Sequence, residues 1–258
     1  MDISYLSEIQ LLAFALVLVR ISAFLVAFPI VENATMPPMV KLLLALTMAM
    51  VIYPVVNATG LNPEMLSGDL FVLVIKEAFM GLFIGFIARF FYHILTVCGE
   101  LVTLSMGLSS DQLFNPTMDR SVTGVENFYL LLGGLFFLAF NGHHIFIQGL
   151  VESFSSVPLA KVSLNLVPMR DLAAIGQDIL IMGIKLAAPI LGAIFLSNMA
   201  MGIIGRAVPQ INVLVTSWPI NVLLGFAVLF VTIPLYIVIM GENLNWSAEN
   251  LFSILKKI

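Results

Sequence analysis

The sequence contains few charged residues and almost no cysteine. Of its 258 residues, 10% are charged, whereas a soluble globular domain carries about 25%. The single cysteine, Cys98, excludes an intrachain disulfide and leaves the redox compartment unreadable. The net charge of -4 is small and no basic stripe is present, so nothing in the sequence indicates binding to nucleic acid.

Hydrophobic residues make up 60% of the chain, and its mean hydropathy is +1.08. A soluble protein of this composition would expose apolar patches that promote aggregation. Membrane lipid, or the apolar surface of other membrane subunits, is the medium that suits such a chain. The first eight residues include two acids and no lysine or arginine, unlike a secretory signal, so we expect the first apolar segment to be a retained helix.

Six hydrophobic segments reach or approach the roughly 20 apolar residues that a membrane-spanning helix needs. They cover residues 11–30, 40–56, 70–95, 128–140 with a continuation through 145–150, 179–204 and 211–240. Residues 141–144 break the fourth segment, and prolines are expected to bend several others. The sequence therefore predicts an all-α, polytopic helical membrane protein with kinked helical hairpins in one membrane domain, residues 1–258. Lysine and arginine divide almost evenly between the two sides, so they do not predict the orientation.

The end of the chain differs from the rest because its apolar residues follow an amphipathic pattern. Leu244, Ala248, Leu251 and Leu255 recur at helical spacing, with polar residues off that stripe. The pattern predicts a C-terminal amphipathic helix over residues 242–258. Two placements remain open: the helix lies on the membrane or a partner, or it folds onto the surface of its own chain.

The sharpest local pattern lies in the third segment. Glu77, Gly81, Gly85 and Arg89 are spaced by four residues and share one helix face, with the glycines permitting close approach of another backbone. Charges within a membrane helix are costly and usually face protein or water. We therefore expect this face to pack against another helix, within the chain or between subunits. The alternative is a chance glycine spacing. A similar row is Asn198, Gly202 and Arg206.

A second feature is the stretch from residue 99 to 116. It begins as a helix and then turns loop-like, with small residues, one phenylalanine and an Asn-Pro pair. Irregular backbone at membrane depth persists only where protein or a water-filled cavity surrounds it. A plug or re-entrant loop is one interpretation, and an ordinary solvent loop is the other.

No catalytic or metal-binding constellation is evident in the sequence. His143 and His144 are adjacent, so a helix directs them about 100° apart rather than toward one metal ion. Zinc-protease, phosphate-loop, dinucleotide and nucleophile-elbow motifs are absent. We expect no catalytic residues, no metal, no cofactor and no enzymatic activity.

Three stretches, taken in order, resemble the FliR family of flagellar biosynthetic proteins, which belong to the type III secretion export gate. The first is Lys76-Glu77 followed by Gly81, Gly85 and Phe86, and the second is Gly99-Glu100 followed by residues 105–109. The third and most specific is residues 205–213, with the run R-x-x-P-Q-x-N-V, followed by Trp218-Pro219-Ile220. The resemblance covers nearly the whole chain.

The chain departs from the family pattern at two positions. Asn115-Pro116 stands where the family often has Asp-Pro, and Asn221 stands where it often has a lysine. The first departure concerns the charge of the loop, and the second concerns an assembly or lipid contact. Injectisome export proteins are similar, and the motifs favour the flagellum.

The resemblance implies a subunit that joins several FliP-like and FliQ-like subunits in the entry pore for unfolded flagellar proteins. An FlhB-like subunit surrounds the cytoplasmic opening of that pore in the bacterial inner membrane, within the flagellar basal body. The family's chain is similar to a fusion, which here implies a FliP-like part, residues 1–165, and a FliQ-like hairpin, residues 166–241. Membrane lipid and export substrates in transit are its other contacts.

The resemblance also implies two groups of functional residues. The pore plug corresponds to Met106, Gly107, Leu108, Ser109, Phe114, Asn115 and Pro116. Assembly and packing are assigned to Glu77, Gly81, Gly85, Arg89, Arg206, Pro209, Gln210 and Asn212.

Two other function classes make predictions that the sequence does not meet. A small-solute secondary transporter predicts inverted repeats with broken helices at matching positions, and the sequence shows none. An intramembrane enzyme needs paired catalytic residues on facing helices, and the available His, Asp and Ser residues do not provide that spacing.

Overall fold

The computed structural model describes residues 3–29, 37–56, 70–108, 124–161 and 169–257. Within these ranges all regular structure is helical, which confirms the all-α prediction. The helices are α1 (Ile3–Ala27), α2 (Pro38–Ile52), α3 (Leu70–Met106), α4 (Gly124–Ala139), α5 (Gly142–Ser156), α6 (Met169–Ala207) and α7 (Val213–Lys257), with a 3-10 turn at Tyr53–Val55.

The number of candidate membrane spans agrees with the six hydrophobic segments. Among the described residues, α1, α2, α3, α6 and α7 are each long and apolar enough to cross a membrane, and α4 with α5 counts as a sixth span if the pair is taken together. The break predicted within residues 141–144 lies at Phe140 and Asn141. Asn141 adopts a left-handed backbone with φ of 56°, a conformation that asparagine tolerates better than most residues.

Two helices extend further than the hydropathy predicts. Helix α3 continues beyond residue 95 to Met106, and α7 runs from Val213 to Lys257 through Pro219, Pro234 and Gly241. The stretch predicted as a C-terminal amphipathic helix is therefore the end of α7 and not a separate element. A glycine is tolerated within a helix at a modest cost, so Gly241 alone does not end it.

The chain forms two compact units that interleave along the sequence. The first comprises Met1–Phe91, Asn141–Ala173 and Leu244–Ile258, and the second comprises Tyr92–Phe140 and Ala174–Asn243. Helices α3, α6 and α7 each contribute to both units. The division into parts at residues 1–165 and 166–241 stays a prediction about family resemblance.

The first unit is built around α1 and α3. The side chains buried between its helices include Leu16, Val17, Ile21 and Phe24 from α1, with Met80, Ile84, Ile87 and Ala88 from α3. Helix α2 lies against α1, where the rings of Phe14 and Tyr53 meet edge to face with centroids 5.6 Å apart. The apolar stripe at the end of α7 is buried in this unit, with Leu251 against Gly149 of α5. The end of α7 thus folds onto its own chain.

The second unit packs the end of α3 against α4, α6 and α7. Ile94, Cys98, Val102 and Met106 recur every four residues along α3 and are fully buried, forming one apolar face. Other buried members of this core are Leu95, Tyr129, Phe137, Leu186, Ile190, Leu229 and Tyr236. The hydroxyl groups of Tyr129 and Tyr236 are hydrogen-bonded at 3.0 Å, so α4 and α7 share a buried polar contact.

Candidate functional site

The row of four residues on α3 faces α1 within the first unit. A Cβ placed on Gly81 would overlap the backbone carbonyl oxygen of Arg20, and one on Gly85 would lie 2.8 Å from the carbonyl oxygen of Phe24. The α1 and α3 backbones therefore approach so closely that these two positions accept only glycine. Contacts advance in the same direction along both helices, so the two helices are parallel.

Glu77, at one end of this seam, forms a buried ion pair with Arg20 of α1. The Arg20 Nε donates to Glu77 Oε2 at 2.6 Å, and both side chains are fully excluded from solvent. The remaining guanidinium nitrogens bind the end of α5 and the residues after it. Nη1 donates to the Ser153 carbonyl at 3.1 Å and its hydroxyl at 3.2 Å, and Nη2 donates to the Val157 carbonyl at 3.1 Å.

The other carboxylate oxygen of Glu77 binds the chain beyond α5. Glu77 Oε1 accepts a hydrogen bond from the Ala160 backbone N–H at 3.1 Å. Ala160 has a φ of 68°, which is uncommon for a residue other than glycine, and the bond to the carboxylate holds it there. The Phe154 ring covers the Arg20 guanidinium at 4.3 Å, a cation–π contact. The pair thus ties α1, α3 and the end of α5 together.

Arg89, at the other end of the seam, binds the C-terminal end of α1. Its Nε donates to the Ala27 carbonyl at 2.7 Å, with Nη2 at 3.5 Å from the Val26 carbonyl. A cation is favourable there because the last carbonyls of a helix carry partial negative charge. Both ends of the row assigned to assembly therefore make contacts within the chain.

Arg20 is a residue that the sequence analysis missed. It appears in the sequence only as an interruption of the first hydrophobic segment. The useful indication was the presence of one cation in the first segment and an acid in the third, since a buried charge in a membrane helix needs a partner. Nothing in the sequence indicates that the backbone carbonyls of Ser153 and Val157 bind Arg20.

The second region of interest is the end of α3, where the predicted plug begins. Gly107 adopts a left-handed φ of 78°. Its N–H donates to the Leu104 carbonyl, and the Leu108 N–H donates to the Thr103 carbonyl, both at 3.1 Å. This pair of bonds is a Schellman motif, which ends a helix and needs glycine at its left-handed position. The direction in which the chain leaves α3 is set by Gly107.

Helix α7 holds this helix end in place. The Trp218 indole Nε1 donates to the Gly107 carbonyl at 3.1 Å, and a Cβ on Gly107 would lie 2.9 Å from the Trp218 ring. Met106 is fully buried and packs against Gly225 of α7. Of the residues predicted to form the plug, Met106, Gly107 and Leu108 lie in the second unit. Ser109, Phe114, Asn115 and Pro116 lie outside the described residues.

The most specific motif forms the turn between α6 and α7. Arg206, in the last turn of α6, is exposed, as are Pro209, Gln210 and Asn212 in the connection to α7. Asn212 caps α7, since its side-chain oxygen accepts the Val215 N–H at 3.4 Å and its carbonyl begins the helical hydrogen bonds. The motif therefore makes a tight, polar hairpin tip whose side chains face outward.

A cluster of side-chain amides closes the same hairpin further from the tip. Asn221 is buried, with its Nδ2 donating to Asn198 Oδ1 at 2.9 Å and its Oδ1 accepting from the Ser197 hydroxyl at 3.1 Å. Asn221 is the position at which the family often has a lysine. In this chain it joins α6 to α7. Of the row Asn198, Gly202 and Arg206, Asn198 is the residue hydrogen-bonded to α7.

The titratable residues do not assemble into a metal site in the part of the chain that the structure describes. No three His, Cys, Asp or Glu side chains lie together there. The rings of His143 and His144 lie side by side, with centroids 4.2 Å apart. They remain a pair on one helix end without a third ligand among the described residues.

Comparison with known proteins gives a consistent result. The family described as "Bacterial export proteins, family 1" matches residues 11–245. The flagellar biosynthetic protein FliR of Caulobacter vibrioides is 32% identical over 231 residues, 88% of this chain and 90% of that protein. FliR of Aquifex aeolicus is 27% identical over 92% of this chain and 91% of its own length, and FliR of Bacillus subtilis is 26% identical over 94% of each.

Proposed function

Because this chain belongs to the family of bacterial export proteins, family 1, we propose that it helps to form the pore of the flagellar type III export gate. It is a membrane-embedded component of a flagellar export apparatus. The finer proposal is that FliP-like and FliQ-like subunits complete the pore and that this chain contributes its plug.

The observation that carries the plug proposal is the fixed end of α3. Gly107 ends the helix, and its carbonyl accepts the Trp218 indole N–H, so the chain enters residues 107–116 from a defined position. A plug must seal against ions and still yield to a passing polypeptide. Small and apolar residues suit that task, because they dewet a pore and hold it shut with few hydrogen bonds.

The assembly part of the proposal rests on the exposed surface of the α6–α7 hairpin. Large apolar side chains such as Leu214, Leu223 and Phe230 are more than half exposed on α7. Such a surface needs lipid or other subunits to cover it. The polar tip at Arg206, Pro209, Gln210 and Asn212 adds hydrogen-bonding groups with which neighbouring subunits are recognised.

The seam on α3 has an indirect part in assembly in this proposal. Glu77, Gly81, Gly85 and Arg89 shape the first unit, and contact with the FliP-like neighbours requires that unit to be correctly folded. We place the assembly in the bacterial inner membrane, in the flagellar basal body, with an FlhB-like subunit at the cytoplasmic opening. The chain acts as a conduit subunit and not as an enzyme.

A deletion tests the plug proposal. Removing residues 107–116 from the assembled complex is expected to open a steady ion conductance, measured in planar bilayers or as a loss of membrane potential in cells. An equal deletion of residues 59–68, in a different connection of the chain, serves as the control and is expected to leave conductance unchanged. Native mass spectrometry establishes that both variants still assemble.

Unchanged conductance in an assembled complex that lacks residues 107–116 contradicts the plug proposal. The same increase in both deletions also contradicts it, because the leak then reflects a damaged complex rather than a missing seal.

A further inference from the structure

The first unit carries an apolar groove beside the seam between α1 and α3. The groove has a volume of about 410 Å³ and is lined by Val26, Ala27, Phe79, Leu82, Phe83, Phe86 and Arg89. Phe79, Leu82 and Phe86 lie along one stripe of α3, and each is more than two-fifths exposed. The walls are hydrocarbon except at one end, where the guanidinium of Arg89 lies.

The stretch of α3 that lines the groove is about as long as one leaflet of a bilayer is thick. The stripe from Phe79 to Arg89 covers ten residues, which is about 15 Å of helix rise. The hydrocarbon core of a membrane is about 30 Å thick, so one leaflet contributes about 15 Å. A single acyl chain that enters beside Arg89 thus reaches the level of Phe79.

The position of Arg89 marks the headgroup end. Its Nε binds the carbonyl of Ala27, and Ala27 is the last residue of the candidate span of α1, Ile9–Ala27. Arg89 therefore lies beside the end of the long apolar stretch of α1. The carbonyl end of a helix carries about half a negative charge, which the full charge of a guanidinium outweighs.

We propose that this groove binds one phospholipid, with an acyl chain along Phe79, Leu82 and Phe86 and an anionic phosphate at Arg89. The groove is lined by apolar side chains along most of its length and by the cationic Arg89 at one end. A phospholipid matches both features, because it has apolar acyl chains and an anionic phosphate. A basic side chain between membrane helices is a recurring element of headgroup sites. The argument for this site does not depend on the plug proposal.

Native mass spectrometry of the full chain, extracted in mild detergent, tests the proposal. The probes are phosphatidylglycerol, which is anionic, and phosphatidylcholine, which is zwitterionic, with the same acyl chains. Leu82→Trp fills the groove and is expected to reduce the bound phosphatidylglycerol at least fivefold. Leu131→Trp, on an exposed position of α4 outside the groove, is the matched control and is expected to retain the lipid.

The headgroup contact is tested at Arg89. Arg89→Gln is expected to reduce the preference for phosphatidylglycerol over phosphatidylcholine about fivefold, since one basic residue near an anionic surface contributes about 1 kcal/mol. Arg89→Lys retains the charge and is expected to retain most of the preference. A purely structural role in binding the end of α1 predicts instead that both variants change lipid binding equally or not at all.

Three results overturn the proposal. In one, Leu82→Trp retains as much lipid as the unaltered chain. In another, Arg89→Gln keeps the full preference for the anionic lipid. In the third, a photo-crosslinker at position 82 captures a neighbouring subunit or a free fatty acid rather than a phospholipid.

Discussion

Glu77 and Arg206 are both charged residues in apolar helices, yet they occupy opposite environments. Glu77 is fully buried in the first unit, and both of its carboxylate oxygens are bound by groups of the same chain. Arg206 is exposed in the last turn of α6, at the polar tip of the hairpin in the second unit. The first charge holds this chain together, and the second is available for contact with another subunit.

Loss of the buried charge is expected to cost more folding free energy than loss of the exposed one. Removing one partner of a buried ion pair leaves an uncompensated charge and costs about 3–5 kcal/mol. Exposed charges contribute about 0–1 kcal/mol to the stability of their own chain. Substitutions in the seam are therefore expected to destabilise the chain, and substitutions near the hairpin and the end of α3 are expected to alter assembly or conductance with little loss of stability.

The largest effect is expected for Arg20→Met. Glu77 then lacks its cation and the Ser153 and Val157 carbonyls lose their donor, so thermal unfolding in detergent should occur at markedly lower temperature, with a loss of about 3–5 kcal/mol. The double variant Arg20→Met with Glu77→Met removes both charges and is expected to recover much of that loss. If the double variant is as unstable as the single one, the ion pair is not what holds the first unit together.

A smaller but still large effect is expected for Gly81→Leu. The added side chain overlaps the Arg20 carbonyl and forces α1 and α3 apart, with an expected cost of about 1–3 kcal/mol or more. Loss of the complex on native gels is the second readout. Gly176→Leu is the control, because nothing lies within 4 Å of a Cβ at that position. A normal complex and an unchanged unfolding temperature for Gly81→Leu would contradict the close packing of the seam.

The smallest effect on stability is expected for Trp218→Phe. This change replaces the indole with a smaller aromatic ring and removes one hydrogen bond to the Gly107 carbonyl, for which the expected cost is about 0.5–1.5 kcal/mol. Ion conductance of the assembled complex should nevertheless rise, because the hydrogen bond that holds the start of residues 107–116 against α7 is lost. Thr216→Val, two residues earlier on α7, serves as the control. Equal conductance for Trp218→Phe and the unaltered complex would show that this bond does not position the plug.

The helices were predictable because hydropathy is a local property of the sequence. Spacing by four also indicated that Glu77, Gly81 and Gly85 share a packing face, and the structure places that face against α1. Pairing with Arg20 was not predictable in the same way, since the two residues are 57 positions apart and no local pattern connects them. Arg20 and Glu77 also bind backbone groups of Ser153, Val157 and Ala160. Every residue has such groups, so the sequence does not show which of them lie near the ion pair.

The positions of helix ends are also only partly predictable from the local sequence. The sequence around Gly107 predicts that the helix gives way to a loop, and α3 ends there in the structure. The sequence around Gly241 indicates a similar helix boundary. Helix α7 nevertheless continues through Gly241, because the residues that follow it pack into the first unit. A glycine thus ends a helix where its backbone turns left-handed, as at Gly107, and does not where tertiary packing continues the helix, as at Gly241. The plug and assembly roles stay predictions, because they depend on neighbours that the sequence of one chain does not contain.

The most direct test of the export-gate function is the mass of the complex that this chain forms. The chain would carry a C-terminal tag, be co-expressed with its genomic neighbours, be extracted in mild detergent and be weighed by native mass spectrometry. We predict one copy of this chain within a large assembly of FliP-like and FliQ-like subunits. A monomer or small homo-oligomer without such subunits would contradict the account and would favour a small-solute transporter.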